Sequence, residues 1–186
     1  FISDSSSCNE LQNKVSRFDY EVGGHTNKVL DADILIISPG IPDTIPIIQQ
    51  CIFKHIPIVS EVEFASWFTD SPILAITGSN GKTTTTKLLH DIVSASGKTS
   101  LLGGNIGTAF SKNVNFERNN KLKSPVHVLE LSSFQLEHII HFTPSVSAIL
   151  NISPDHMNRY NSMEDYIRAK LNIVRHLKEP GWFVYN

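Results

Sequence analysis

SPILAITGSNGKTTTTKLL, residues 71–89, decides the fold. An apolar run reading as a strand (71 to 78) feeds a glycine turn closed by Lys82 and Thr83. A helical pattern then runs from Lys82 to Ser96, with Leu88, Leu89, Ile92 and Val93 at helical spacing and Gly97 where a C-terminal stop belongs. A phosphate-binding loop requires this strand–turn–helix context. Glycines let successive N–H groups point into one concavity, and the helix N-terminus adds partial positive charge. Lys82 can reach outer phosphates, the Thr83 hydroxyl can hold Mg²⁺, and Gly78, Ser79, Asn80, Gly81 and Thr84 complete the turn. The plain alternative is an ordinary glycine turn. In the common spacing G-x4-G-K-[ST], position 76 would be glycine; it is Ile76, so the loop is a shorter variant.

Outward from this loop, short apolar runs alternate with helical patterns, which predicts an α/β fold with a mostly parallel sheet covered by helices. Upstream lie a strand in DILIISPG (33–40), a helix in IPIIQQCIFKH (45–55), a strand in IPIVSE (56–61) and a helix in EVEFASWF (61–68). Thr69-Asp70-Ser71-Pro72 is the best linker, giving two domains, 1–70 and 71–186. Downstream, KTSLLGG (98–104), VHVLEL (126–131) and SVSAILNI (145–152) read as buried strands, because their apolar runs barely alternate. The last helix starts near Ser162, three residues before Asp165, and runs to about Leu177, and WFVYN (182–186) is one more strand.

The 186 residues carry 16 Lys+Arg against 18 Asp+Glu, so a net charge of −2 gives no reason to expect nucleic acid or an anionic membrane. Cys8 and Cys51 are far apart and form no CxxC, which fits a reducing cytoplasm and argues against both a disulfide framework and a zinc ribbon. No apolar run approaches the roughly 18 residues that span a bilayer. The chain opens Phe-Ile-Ser-Asp with no signal-peptide pattern, and reads as an excerpt from a longer protein.

Several residues beyond the loop are chemically informative. Glu130 ends the apolar strand VHVLEL, and a buried carboxylate needs a cation or strong donors beside it. It is a candidate Mg²⁺ ligand, the alternative being a partly exposed strand-end Glu. Asn105 in LLGGNIG, Ser132 after Glu130, and His156 in NISPDHMNRY also follow strands. Ligands of open parallel sheets bind beyond the carboxyl ends of the strands, so these segments and the phosphate loop can converge there. His156 alone reads equally as a structural hydrogen-bonding residue, and His138 and His141 lie on an ordinary helix face. Tyr166, Lys170, Ile173 and Leu177 share one helical face. There Lys170 is either a snorkelling lysine or one aimed into the site with a lowered pKa.

Taken together, TGSNGKTTTT, GGNIG, LELSSFQLE, DHMNRY and the YIRAKL helix resemble the Mur ligases of peptidoglycan synthesis, in that family's order. LELSSFQLE with DHMNRY favours the branch that joins D-glutamate to UDP-N-acetylmuramoyl-L-alanine. ISPGIP (37–42) and IVSEVE (58–63) look like the end of a Rossmann-like uridine-nucleotide domain, and residues from 71 onward like a P-loop-type central ATPase domain. The resemblance implies an ATP-dependent amide ligase working through an acyl phosphate with two Mg²⁺ ions. Lys82, Glu130, His156 and Lys170 would be catalytic, and residues 78–84 would bind ATP. Thr83, Glu130, His156 and a carbamylated Lys170 would hold metal. Gly40, Asn105, Ser132 and His156 would contact the substrate, and Asp4-Ser5-Ser6 loosely matches a uracil-contacting turn. The resemblance further implies a cytoplasmic monomer and a missing third domain, so that this chain alone should not turn over. Competing readings are another Mur ligase, a folylpolyglutamate-type ligase, or a nucleotide-binding module without catalysis.

Overall fold

The computed structural model describes residues 1–5, 17–155 and 157–186, so Ser6, Cys8 and His156 lie outside the described residues. The chain forms two compact units, Phe1–Ile37 with Ile41–Val59, and Ser38–Gly40 with Ser60–Asn186.

In the first unit, β1 (Ile2–Asp4) pairs in parallel with β2 (Tyr20–Val22), while β3 (Leu35–Ile37) pairs with β4 (Ile58–Ser60). The buried strand expected over 33–40 is only these three residues, with Ile36 exposed. Helix α1 (Pro46–Phe53) begins with proline at its first position, where no N–H is needed. It buries Ile47, Ile48 and Cys51 with Val29 and Ile37.

The second unit is an all-parallel five-stranded sheet with strand order β6-β7-β5-β8-β9, built from β5 (Ile73–Thr77), β6 (Ser100–Gly104), β7 (Val126–Glu130), β8 (Val146–Ile149) and β9 (Trp182–Tyr185). Both faces are covered by helices, as parallel sheets require. Strand alternation sends Ile73, Ala75, Leu129 and Leu131 into one core with α2 (Glu61–Ser66) and α4 (Phe110–Asn119). The opposite face of β7 receives α3 (Lys82–Ala95), and alternation puts Glu130 on that side with Val126 and Val128. The first turn of α3 therefore meets the end of β7.

Several expectations change. Helix α2, expected with the upstream domain, is buried in the second unit through Val62 and Ala65, so the compact units divide between Val59 and Ser60. Leu88 and Ile92 are exposed, because the inner face of α3 follows Thr86, Leu89, His90 and Val93 instead. His138 and His141 are not on a helix: α5 (Ser133–Glu137) is a single turn that stops at His138. Helix α6 (Met163–Leu171) has Ser162 as its N-cap, and a 3-10 turn (Asn172–Val174) ends the pattern before Leu177. Helix α4 was not expected at all.

Candidate active site

The phosphate turn follows β5 directly. Gly81 adopts φ +80°, a left-handed conformation that a side chain would strain, and serves as the N-cap of α3. The N–H groups of Lys82, Thr83 and Thr84 open the helix and so lack intrahelical acceptors, which aims three donors and the positive end of the helix at one spot. Lys82 Nζ donates to the carbonyls of Gly78 and Ser79, each at 2.9 Å.

Glu130 is 1% exposed, and among the described residues two neutral donors hold it. Thr83 Oγ1 donates to one carboxylate oxygen and Asn105 Nδ2 to the other, both at 2.7 Å. Bonds to a charged acceptor contribute about 1.5–3 kcal/mol each, less than the several kcal/mol needed to bury an isolated ion. A carboxylate held this way has capacity left for a cation. Asn105 is placed by β6: Gly104 sits at φ +94° so close to β7 that a Cβ would collide with the Glu130 carbonyl oxygen. That same oxygen accepts the Asn105 N–H at 2.8 Å. The hydroxyl of Thr83 and the carboxylate of Glu130 are hard oxygen donors that suit Mg²⁺, an ion that usually takes one or two protein oxygens plus phosphate and water. Among the described residues no group of three or more His, Cys, Asp or Glu could hold a metal ion.

Lys170 does not snorkel. It is 2% exposed, its Nζ donates to the Gly78 carbonyl at 2.8 Å, and it lies 4.6 Å from the centroid of the Tyr166 ring. Two ammonium groups thus share the Gly78 carbonyl. Burial first, and the Lys82 charge second, push Lys170 down to about 8, while Asp155 opposes the shift. Such a lysine has a usable fraction of neutral, nucleophilic amine near neutral pH.

The other candidates are placed differently. Ser132 is the N-cap of α5: its Oγ accepts the Gln135 N–H while the Gln135 side chain accepts the Ser132 N–H, a reciprocal capping box. The Gly40 carbonyl accepts Arg159 Nη1 at 2.8 Å, and the same guanidinium donates to Glu137 at 3.0 Å. Sequence reading missed Arg159, Asn151 and the Tyr166 hydroxyl, which lies 3.1 Å from Ser79 Oγ. The spacing of Tyr166 signals only a helical face, and a lone Asn or Arg carries no spacing signal.

A family model described as the Mur ligase middle domain matches residues 76–186, the part that holds this site. The chain belongs to the Mur ligase family. A second model, described as the MurD N-terminal domain, matches residues 1–45. A UDP-N-acetylmuramoylalanine--D-glutamate ligase of Salinibacter ruber is 47% identical over 174 residues, 90% of this chain and 37% of that relative. The protein of the same name from Christiangramia forsetii is 41% identical over 191 residues, 100% of this chain and 42% of its own length. The chain therefore spans about two fifths of these relatives. Among solved structures, a UDP-N-acetylmuramate:L-alanyl-gamma-D-glutamyl-meso-diaminopimelate ligase from Neisseria meningitides aligns with TM-score 0.60 at 17% identity, over 99% of this chain and 62% of that one. The UDP-N-acetylmuramate-alanine ligase of Thermotoga maritima aligns at 0.51 with 21% identity, over 99% and 42% respectively. Both agree with the Mur ligase fold.

Proposed function

We propose that the full-length protein carrying this chain is an ATP-dependent ligase that joins D-glutamate to UDP-N-acetylmuramoyl-L-alanine in peptidoglycan precursor synthesis. The observation that carries this reading is the link between Thr83 of the phosphate turn, Glu130 and Asn105, which ties three strand ends into one anion- and cation-binding edge. The near-full coverage of this chain by relatives of that name supports the substrate pair. The UDP-substrate domain is then proposed to span residues 1–70 and the ATP domain 71–186, with helix α2 of the first packed into the second compact unit. The protein is proposed to act as a cytoplasmic monomer; among the described residues no helix is long and apolar enough to cross a membrane.

In this reading residues 78–84 receive the ATP phosphates, and Lys82 turns from the Gly78 and Ser79 carbonyls toward the γ-phosphate. Thr83 and Glu130 would hold one Mg²⁺, and His156 with a carbamylated Lys170 would hold a second. When bound, Mg²⁺ neutralises phosphate charge and stabilises the anion that develops during transfer. Carbamylation adds CO₂ to the neutral Lys170 amine with loss of one proton, and the lowered pKa favours that amine. A terminal carboxylate oxygen of the UDP substrate attacks the γ-phosphorus, and the bond to the bridging oxygen breaks to release ADP. The D-glutamate nitrogen then attacks the acyl carbon, phosphate leaves with the former carboxylate oxygen, and the amine loses its proton. Positioning and charge neutralisation dominate such transfers. Asn105, Ser132 and Gly40 are the proposed substrate contacts.

The test is phosphate release by the full-length protein with ATP, Mg²⁺ and UDP-N-acetylmuramoyl-L-alanine, offering D-glutamate, L-alanine, L-lysine and meso-diaminopimelate separately. Release only with D-glutamate supports the proposal. No release with any of the four, while ATP still binds, would remove the D-glutamate assignment.

A further inference from the structure

We propose that Asn151 is a positioning residue for nucleotide binding, setting the direction of two peptide groups in the phosphate turn; this rests on the ATP reading above. Asn151 follows β8, and its carboxamide bonds both ways with one residue of the turn. Its Oδ1 accepts the Asn80 N–H at 2.8 Å and its Nδ2 donates to the Asn80 carbonyl at 3.0 Å. The orientation of the amide is fixed, since a backbone N–H can only donate and a carbonyl only accept.

These bonds reach two consecutive peptide planes. The Asn80 N–H belongs to the plane shared with Ser79, and the Asn80 carbonyl to the plane shared with Gly81. In a trans peptide the C=O and N–H point in opposite directions. Drawing the Asn80 N–H to Asn151 therefore turns the Ser79 carbonyl the other way, where Lys82 Nζ meets it at 2.9 Å. Drawing the Asn80 carbonyl to Asn151 likewise turns the Gly81 N–H away from Asn151, to join the free donors of Lys82, Thr83 and Thr84 at the helix start. A flip of the second plane would put a carbonyl where an anion belongs. Gly81, with φ in the left-handed region, has the freedom to make that flip, so an external lock is needed.

The rest of the contact supports a lock. The Asn151 carbonyl accepts the Ser79 N–H at 3.0 Å, and Ser79 Oγ exchanges bonds with the backbone of Ser153, donating to its carbonyl and accepting its N–H, both at 2.9 Å. These backbone-anchored bonds survive a change at the Asn151 side chain. Removing the carboxamide should thus release the Asn80 planes without detaching the loop.

The experiment compares wild type, Asn151→Ala and Asn151→Asp in the full-length protein. Calorimetry would measure Kd for Mg-ADP and for UDP-N-acetylmuramoyl-L-alanine, kinetics would give KM for each substrate, and melting would report stability. Asp keeps the shape and the acceptor for the Asn80 N–H but faces the Asn80 carbonyl with an oxygen, so it decides the matter if the Ala variant fails to fold. The expected result is a rise of about tenfold or more in Kd and KM for the nucleotide, with the UDP substrate's constants and the melting temperature nearly unchanged. Nucleotide affinity within about twofold of wild type would overturn the inference and leave the ATP reading standing. Parallel loss of both affinities and of melting temperature would overturn it too, by making Asn151 a general structural residue. Wild-type protein that does not bind Mg-ADP would overturn the ATP reading and the inference with it.

Discussion

Glu130 and Lys170 are both buried, and the hydrogen bonds that hold them among the described residues are made with uncharged groups. Glu130 is held by two neutral donors, and Lys170 by a carbonyl that it shares with Lys82. Arrangements of this kind are expensive to keep for stability alone and are common where charge must be handled. Replacing Glu130 by Gln keeps shape and one acceptor while removing the charge. The expected result is a fall of about 100-fold or more in phosphate release, with ADP affinity measured in EDTA within a few-fold of wild type. Unchanged turnover in that variant would make Glu130 a structural residue.

Elements rather than single residues explain what could be read early. The strand–turn–helix at 71–96 was legible because glycine placement and apolar spacing agree over many residues, and Glu130 because a carboxylate in an apolar run has few explanations. Helix α4 was not legible: its sequence FSKNVNFERN is mostly polar and holds to the core through Phe110 and Val114, with Asn113 bonding the Leu102 carbonyl at 2.9 Å. Helix α5 is too short to show a period, and the capping role of Ser132 was not legible because a capping serine and a binding serine are the same letter. The start of α4, meanwhile, packs Phe110 edge-on against His127 of β7, and its far end supplies Glu117. Glu117 accepts His127 Nε2 at 2.9 Å, Thr69 Oγ1 at 2.8 Å and Ser71 Oγ at 2.5 Å, joining α4, β7 and the segment before β5. Burial holds the His127 ring below its ordinary 6.5, although Glu117 opposes this. Burial raises the Glu117 carboxyl, but the bonds from Ser71, Thr69 and His127 outweigh it and keep the group below its ordinary 4.5. Both groups therefore bind fewer protons folded than unfolded, so stability rises with pH. Their contribution should be complete above the ordinary 6.5 of His127 and be lost on acidification, first in the His127 range and then below 4.5 as Glu117 titrates. Melting temperature measured against pH checks this, and His127→Gln should flatten the upper part of the fall. A wild-type melting temperature that stays level from pH 7 to pH 5, or rises, would contradict the sign.

At the scale of the whole molecule, the candidate site collects groups from the ends of β5, β6, β7 and β8 and from α6 at one edge of the parallel sheet. Open α/β sheets place ligands there because strand ends and helix N-termini leave backbone donors unpaired. The 186 residues span about two fifths of the relatives they match. Accordingly, the isolated chain is expected to bind Mg-ADP by calorimetry but to form no amide when given both substrates, and amide product from it would contradict that. The reaction itself is tested most directly by oxygen transfer. UDP-N-acetylmuramoyl-L-alanine labelled with ¹⁸O in its terminal carboxylate is supplied to the full-length protein with ATP, Mg²⁺ and D-glutamate, and the released phosphate is analysed by mass. Attack of the carboxylate on the γ-phosphorus predicts that one labelled oxygen leaves with each phosphate. Unlabelled phosphate, released at the rate of amide formation, would contradict carboxylate activation at this site.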